Sequence, residues 1–223
     1  MAALCASIVM DFYVKTIGAS GLFPSRMQSF PLGVAPKYQS SLYSRTLLLN
    51  CLTKYYTDLW EECWRDEYAK EQWSIDDSRL KPFSGLERKW SCNTPLRNYF
   101  ERRQALVEID VIAAMALGLS LKDLELIYRI QFPVLQQNEN DTWYDTTGNI
   151  VFTSSQGLLG VGLSRQVWNT IKDMKAGETY VHTIEKSELY KGKQVTYHAP
   201  FTRCDRIADY RRAWAHFDQL FNK

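Results

Sequence analysis

The chain has 223 residues, of which 45% are hydrophobic and 23% are charged, and its net charge is +2. This composition is ordinary for a globular protein and argues against wholesale disorder. The net charge is too small for a free-standing polycation that would bind any nucleic acid. The aromatic share is 13%, with seven Trp and thirteen Tyr. Such a share indicates either a ring-rich core, which is the simpler interpretation, or a broad interaction surface.

The cysteines are odd in number and widely scattered, and no two form a Cys-x-x-Cys pair. The three histidines do not flank them at the spacing of metal ligands, so we expect no zinc site. Free thiols fit a reducing compartment, and we predict a cytoplasmic protein. The five positions are Cys5, Cys51, Cys63, Cys92 and Cys204.

The first 72 residues read as a helical segment. Residues Ala2 to Ile17 are mostly apolar and predict a buried helix, which the Gly and Pro residues of 18–24 end. The apolar spacing from Ser40 to Tyr68 predicts one long amphipathic helix or two in succession. Between these helices, the loop from Gly18 to Arg26 is the first candidate for contact with a partner.

Residues 73–97 are rich in turn-forming pairs. Examples are Lys81-Pro82, Ser84-Gly85 and Thr94-Pro95. Because Gly, Pro, Asn, Asp and Ser favour turns over regular elements, we expect an irregular linker or exposed loop here.

The clearest prediction is a helical hairpin at residues 98–131. The apolar residues from Asn98 to Leu117 share one broad face, and Gly118 follows as a C-cap. Ser120 then has the type and position of an N-cap for a second helix, with Asp123 at its third position and Pro133 closing it. A connector this short makes the two helices antiparallel neighbours.

The last part of the chain mixes short strands with helices. The segments 143–145 and 150–152 look like the strands of a hairpin, and 179–184 and 194–197 predict further strands. Helices are expected from Ser164 to about Met174 and from about Cys204 to Phe221. We therefore divide the chain into 1–72, 73–97 and 98–223, the last holding the hairpin and a small α+β region. The fold class is α+β, mainly helical.

The sequence offers no convincing catalytic motif. Gly157, Gly160 and Gly162 precede a helix, but the pattern is not a phosphate-binding loop, and a structural loop is the better interpretation. Glu185-Lys186 is only a fragment of a metal-dependent nuclease pattern. With three histidines, a nucleophilic triad is improbable. We therefore name no catalytic residue and no metal ligand.

Basic residues concentrate near the two ends of the chain. Residues 1–56 hold five basic residues against Asp11 alone, and residues 191–212 hold six basic residues against two acidic ones. If the two ends meet in space, they could form a phosphate-facing surface. From charge alone, ordinary solvated faces are the simpler interpretation.

Arginines within the predicted helices have two interpretations. Arg102 and Arg103 could point to phosphate or pair with Glu101 and Glu108 on the same helix. The run from Arg203 to Arg212 alternates in sign, which is typical of a salt-bridged face, although arginine also suits bidentate contact with phosphate or guanine.

Two stretches carry a resemblance to a known family. The first consists of Met10-Asp11-Phe12-Tyr13, residues 16–21 and Phe30-Pro31-Leu32-Gly33. The second consists of 101–110, 127–135, 143–145, 199–201, Asp205-Arg206 and 210–213. Both resemble the region downstream of the catalytic domain in adenine-N6 DNA methylases of type IIG restriction-modification and phage-defence systems. In that family the region contacts DNA and helps to recognise the target.

The resemblance implies a non-catalytic piece of a larger activity. It implies that the domain that binds S-adenosylmethionine and flips the base lies upstream, so we expect no cofactor in this chain. An Asn-Pro-Pro-Tyr-like turn, which holds the flipped adenine, is missing from the sequence. We expect double-stranded DNA as the partner and a role in target recognition or as a scaffold. The predicted DNA-binding residues are Lys15, Ser20, Arg26, Arg102, Arg103, Arg203, Arg206, Arg211 and Arg212.

A rival hypothesis is a protein-interaction subunit. In it, the aromatic, amphipathic helices dock a separate methylase or helicase, and the chain never touches DNA. Large exposed apolar surface would favour this rival.

Overall fold

The computed structural model describes residues 1–18, 23–28, 30, 31, 33–154 and 161–222. The predicted loop position Ser20 and the glycines Gly157 and Gly160 lie outside these residues, as does Leu32 of the motif Phe30-Pro31-Leu32-Gly33. Within them the fold is α+β and mainly helical, which confirms the predicted class.

Helices make up most of the described chain. They are α1 (Ala2–Cys5), α2 (Ile8–Thr16), α3 (Pro24–Met27), α4 (Pro36–Asn50), α5 (Thr57–Cys63), α6 (Tyr99–Ala116), α7 (Leu121–Gln131), α8 (Pro133–Asn140), α9 (Arg165–Ile171) and α10 (Arg206–Phe221). Short 3-10 turns occur at Lys54–Tyr56, Asp66–Lys70 and Phe83–Gly85.

The strands are short and form two separate antiparallel sheets. They are β1 (Trp143–Tyr144), β2 (Ile150–Phe152), β3 (Thr179–Thr183), β4 (Gln194–His198) and β5 (Thr202–Arg203). The first sheet has the order β2-β1-β5, and the second consists of β3 and β4 alone. The predicted strands at 143–145, 150–152, 179–184 and 194–197 are all present, whereas β5 was not predicted.

The helix predicted from Ala2 to Ile17 is interrupted. Ser7 takes an extended backbone conformation, and its hydroxyl accepts from the Met10 amide. The same hydroxyl donates to the Leu4 carbonyl at 2.7 Å. Ser7 thus ends α1 and caps α2, because a serine hydroxyl satisfies backbone groups that a continuous helix would pair internally.

The predicted hairpin is present with the expected caps. Asn98 and Glu101 form a reciprocal capping box at the start of α6, and Ser120 and Asp123 form another at the start of α7. Gly118 has φ +75°, the left-handed conformation that glycine adopts at a helix end. Pro133 does end α7, but it also begins α8, because proline fits the first position of a helix.

One large core joins the beginning, middle and end of the chain. It includes Leu4 from α1, Leu42 from α4, Ile109 from α6 and Phe217 from α10. A second cluster forms around Trp168, between the small sheets and α9. Since residues from 1–72 and from 98–223 share the first core, these segments pack as one body.

Residues 73–97 are irregular but firmly attached. The Trp73 indole donates to the Lys81 carbonyl at 2.7 Å, and the Trp90 indole donates to the Cys51 carbonyl at 2.9 Å. Phe83 and Leu86 are buried in the main core. This segment is therefore a packed cover over α4 and α6 and not a loose connection.

Candidate nucleic-acid interface

A buried ionic network joins α6, α8 and α10. Arg103 pairs with Glu139 at 2.6 Å and with Asp209 at 2.7 Å. Arg206 pairs with the other oxygen of Glu139 at 3.0 Å and with Asp110 at 2.9 Å. The two arginines therefore share Glu139, and each has a second carboxylate of its own.

Asp110 receives three donors, two from α10 and one from the start of α2. The Tyr210 hydroxyl donates to it at 2.7 Å, and the Ile8 backbone amide donates at 2.9 Å. Burial raises the pKa of Asp110, although Arg206 and Tyr210 act in the opposite direction. This carboxylate fixes the start of α2 and the side chains of α10 to the same point on α6.

The network keeps its arginines charged. Burial alone would lower the pKa of Arg103, but Glu139 and Asp209 outweigh it and raise that pKa. Burial would raise the pKa of Glu139, but Arg206 and Arg103 hold it below its usual value. Each charge is compensated by hydrogen-bonded partners, as burial of ions requires.

A third buried arginine, Arg45, ties the irregular segment to the helices. Arg45 is fully buried, and it binds Glu108 at 2.5 Å and Glu71 at 3.0 Å. The other oxygen of Glu108 accepts from the amide and hydroxyl of Ser74 at 2.8 and 2.7 Å. Burial would lower the pKa of Arg45, but the two glutamates raise it. This pairing of Arg45 was not predicted, and its sequence signal is a lone arginine inside the apolar run of α4.

Three of the predicted DNA-binding arginines are committed to the protein interior or backbone. Arg103 and Arg206 have side chains only 7% and 6% exposed. The Arg102 guanidinium donates to the Leu49 and Leu96 carbonyls at 3.1 and 3.4 Å. Arg103 and Arg206 therefore act as structural ions in this conformation and offer no donor to a phosphate, which corrects their assignment to a DNA-facing surface.

Four other predicted residues are exposed. Lys15 pairs with Asp11 at 2.8 Å, and Arg203 donates to the Asn140 carbonyl at 3.0 Å. Arg211 is 58% exposed and Arg212 is 56% exposed. Ser20 and the side chain of Arg26 lie outside the described part of the chain.

A cation from each basic end of the sequence lies against α7 or the residue that follows it. The Lys15 ammonium lies 4.4 Å from the centroid of the Phe132 ring, just after α7. Arg211 of α10 reaches Glu125 on α7 at 2.7 Å. Two further exposed cations, Lys122 and Arg129, belong to α7 itself. We call the set Lys15, Lys122, Arg129, Arg211 and Arg212 the α7 cationic surface.

Carboxylates interrupt this surface. Asp11, Asp123 and Glu125 lie among the cations, and Glu125 binds Arg129 at 3.3 Å as well as Arg211. Exposed ion pairs of this kind are weak, so their arginines can exchange a carboxylate for a phosphate at small cost.

An apolar stripe lies on α7 and α8. Leu126, Ile130 and Val134 are 53%, 69% and 67% exposed. Large apolar side chains clustered on a surface often mark a contact with another protein.

The described residues also contain an open cleft of about 630 Å³ formed by 69–84. Its wall includes Lys70, Glu71, Asp76 and Asp77. Glu71 is paired with Arg45 and Asp77 with Arg79. Within the described ranges, no group of three or more His, Cys, Asp or Glu is placed to hold a metal ion, and no helix is long and apolar enough to cross a membrane.

Comparison of the chain with protein-family models, with curated proteins and with solved structures finds no match. Some of the residues quoted for the resemblance to adenine-N6 methylases lie inside the protein. Arg103, Asp110, Tyr128, Arg206 and Tyr210 all lie in or against the buried network.

Proposed function

We propose that this chain is a DNA-binding target-recognition or scaffold portion of an adenine-specific DNA methylase of a restriction or phage-defence system, and that it is non-catalytic by itself. The methyl transfer, with S-adenosylmethionine, would belong to another part of the system. The observation that carries the proposal is that a cation from each basic end of the chain, Lys15 and Arg211, lies against the α7 region.

Phosphate contact is the chemistry that this surface suits. Arg129, Arg211 and Arg212 each expose more than half of their side chain and sit on the rigid helices α7 and α10. Guanidinium groups bind phosphate through two parallel N–H donors, and such contacts supply most of the non-specific affinity for DNA. The buried network below would hold α10 in place during binding.

The proposal is tested by fluorescence anisotropy with a random duplex of about 30 base pairs. For the wild-type chain we expect a dissociation constant of micromolar order at low salt, which rises steeply between about 50 and 200 mM salt. A chain that does not bind at low salt would contradict direct DNA contact.

A pair of double variants makes the test specific. Arg129→Ala with Arg211→Ala should reduce the slope of log affinity against log salt by about 1.8, because each lost phosphate contact contributes about 0.9. The control, Lys70→Ala with Lys172→Ala, removes the same charge from exposed positions away from α7 and should keep the wild-type slope. Equal slopes for the two double variants would remove the α7 cationic surface from the proposal.

The apolar stripe favours a second candidate function, docking of a separate methylase or helicase without DNA contact. In that case the wild-type chain fails to bind DNA but co-purifies with the partner subunit. Ile130→Asp should then abolish the complex, because it places a charge in the middle of the stripe.

A further inference from the structure

The β3–β4 hairpin forms a two-stranded ribbon with no third strand among the described residues. Its register pairs Thr179 with His198 and Thr183 with Gln194. Beyond the strands, the Ile184 amide donates to the Lys193 carbonyl at 2.9 Å, and the Gly192 amide donates to the Ile184 carbonyl at 2.8 Å. The ribbon is thus continuous up to a closed turn at residues 185–192.

One face of the ribbon is anchored to the body of the protein. Tyr197 is buried in the Trp168 cluster, and Tyr180 and Val195 pack against that cluster. The His182 ring nitrogen lies 3.1 Å from the Val161 carbonyl. Because side chains alternate between the faces of a strand, these contacts leave the opposite face free.

The opposite face, here called the open face, is exposed along its length. It carries hydroxyl, amide and methyl groups, with Val181 50% exposed. Its exposed residues are Thr179, Val181, Thr183, Gln194 and Thr196. Hydroxyl and amide groups can donate to and accept from base edges, and valine methyl groups suit the methyl group of thymine.

Cations are grouped at the closed end of the ribbon. Lys186, Lys191 and Lys193 are exposed, and none of them takes part in the ion pairs between described residues. Glu185 and Glu188 lie on the same turn, so residues 185–193 keep a positive balance of one charge. Lys186 and Lys191 can reach phosphates without first giving up an ion-pair partner, and the Lys193 ammonium lies 4.9 Å from the centroid of the Tyr190 ring.

The dimensions of the ribbon match a DNA groove. Five residues per strand extend over roughly 17 Å, and two strands lie about 4.8 Å apart. The major groove of B-form DNA is about 12 Å wide and admits a two-stranded ribbon, and it distinguishes all four base pairs. The minor groove, about 6 Å wide, is too narrow for the ribbon with its side chains.

We infer that the β3–β4 ribbon is the sequence-reading element of this protein, that it inserts its open face into the major groove of double-stranded DNA, and that its three turn lysines contact the flanking phosphates. This inference rests on the proposed DNA-binding function. It divides the work between two surfaces: the α7 cationic surface supplies affinity, and the ribbon supplies selectivity.

The experiment selects bound sequences from a randomised duplex library and uses the full chain. We expect the wild type to enrich a defined sequence and to bind it at least about tenfold more tightly than a random duplex. Gln194→Ala with Thr196→Ala should lose this enrichment but keep the wild-type affinity for random duplex. The control, Gln166→Ala with Thr170→Ala on α9, removes the same exposed groups elsewhere and should enrich as the wild type does.

A groove-specific measurement completes the test. Glucosylated 5-hydroxymethylcytosine fills the major groove, and we expect it to weaken wild-type binding to the selected duplex by at least about tenfold, whereas a minor-groove ligand should leave binding unchanged. Lys186→Ala, Lys191→Ala and Lys193→Ala together should reduce the salt slope by about 2.7. A thermal unfolding curve for each variant checks that the protein remains folded.

The two proposals fail in distinguishable ways. If the wild type binds DNA but enriches no sequence, or if the Gln194/Thr196 variant enriches the same sequence, the ribbon inference is overturned and the proposed function stands. Insensitivity of wild-type binding to major-groove glucosylation also overturns the ribbon inference. If the wild type does not bind DNA at low salt, both proposals fail.

Discussion

Arginines of similar sequence context have opposite roles in this protein. Arg206 and Arg211 lie on the same helix, yet Arg206 is buried between Asp110 and Glu139, whereas Arg211 extends over Glu125 at the surface. A buried ion pair is costly to break because the remaining charge has no solvent, while an exposed pair is readily replaced by water. Burial therefore separates structural arginines from candidates for DNA contact.

We expect Arg103→Ala and Arg211→Ala to have complementary effects. Arg103→Ala should lower the free energy of unfolding by about 3 to 5 kcal/mol, since it leaves Glu139 and Asp209 buried without this partner. Arg211→Ala should leave stability nearly unchanged and weaken DNA binding. Urea unfolding and anisotropy on both variants provide the measurement, and a stable Arg103→Ala protein would contradict the structural role.

Glu139 should contribute to stability in a pH-dependent way. Its pKa in the folded protein lies below the ordinary 4.5, despite burial, because of Arg206 and Arg103. A lowered pKa stabilises the folded state above the ordinary value, and this contribution is lost as the pH falls through the folded-state pKa. We expect Glu139→Gln to be less stable at about pH 7, with the difference from wild type shrinking below about pH 4.5.

Urea unfolding at a series of pH values measures this difference. Asp110 has the opposite tendency, since burial raises its pKa. The comparison of wild type with Glu139→Gln isolates the contribution of one carboxylate to the pH dependence of the free energy of unfolding. Glu62→Gln, at an exposed position, is the control and should follow the wild-type curve. A constant difference between wild type and Glu139→Gln at all pH values would contradict the argument.

At the scale of the elements, the turn between β1 and β2 is locked to the start of α6. Gly148 has φ +86°, and its carbonyl accepts from the Phe100 amide at 3.0 Å. A Cβ at this position would lie 2.6 Å from Oδ1 of Asn98, the residue that caps α6. The small sheet and the long helix are therefore fitted to each other at one glycine.

Two glycine substitutions should separate backbone strain from this contact. Gly177→Ala, at φ +90° with open space around it, should cost about 1 to 2 kcal/mol from strain alone. Gly148→Ala adds the clash with Asn98 and should cost about 1 kcal/mol more, the typical value of a lost N-cap. Chemical denaturation of both variants measures the difference, and equal losses would show that Asn98 moves away freely.

Local sequence patterns predicted the presence of helices and strands better than the points at which one helix ends and the next begins. The α6–α7 hairpin could be predicted from the sequence because Asn98, Gly118 and Ser120 begin or end helices through groups only a few residues away. The break at Ser7 is harder to read, since apolar residues continue on both sides and only the hydroxyl ends the helix. Pro133 has the same appearance whether a helix stops there or a new one begins, so α8 was not predicted.

At the scale of the whole molecule, the main core depends on α10. Tyr210, Ala213 and Phe217 are fully buried against residues from the first third and the middle of the chain. The Phe217 ring also lies 5.1 Å from the Arg45 guanidinium. The core and both arginine networks are thus complete only when α10 is docked.

A truncation and a loop replacement should show which parts the fold needs. A chain that ends at Cys204 should lose cooperative unfolding, because Arg103 and Asp110 lose partners and the core loses its last helix. Replacement of residues 185–192 by Asn-Gly should keep the fold, since this dipeptide closes a two-stranded hairpin well. Circular dichroism with urea tests both, and a cooperative truncated chain would contradict the role of α10.

The candidate site was less predictable than the fold for a physical reason. Arg103 and Asp209 are 106 positions apart, and Ile8 and Asp110 are 102 positions apart. Helical spacing placed Arg103 near Glu101 and Glu108, but its actual partners come from α8 and α10. Spacing within one helix says nothing about such partners, whereas the exposure of Arg211 follows from its own helix face.

The convergence on Asp110 also has a consequence for synthesis of the protein. Arg206 lies 96 positions after Asp110. At about 5 to 20 residues per second, a ribosome needs roughly 5 to 20 s to add that length. During this interval α6 carries Asp110 and Arg103 without their α10 partners, so the buried network cannot be completed until α10 emerges. Codons or chaperones that change this delay would act on assembly of the core without any change in sequence.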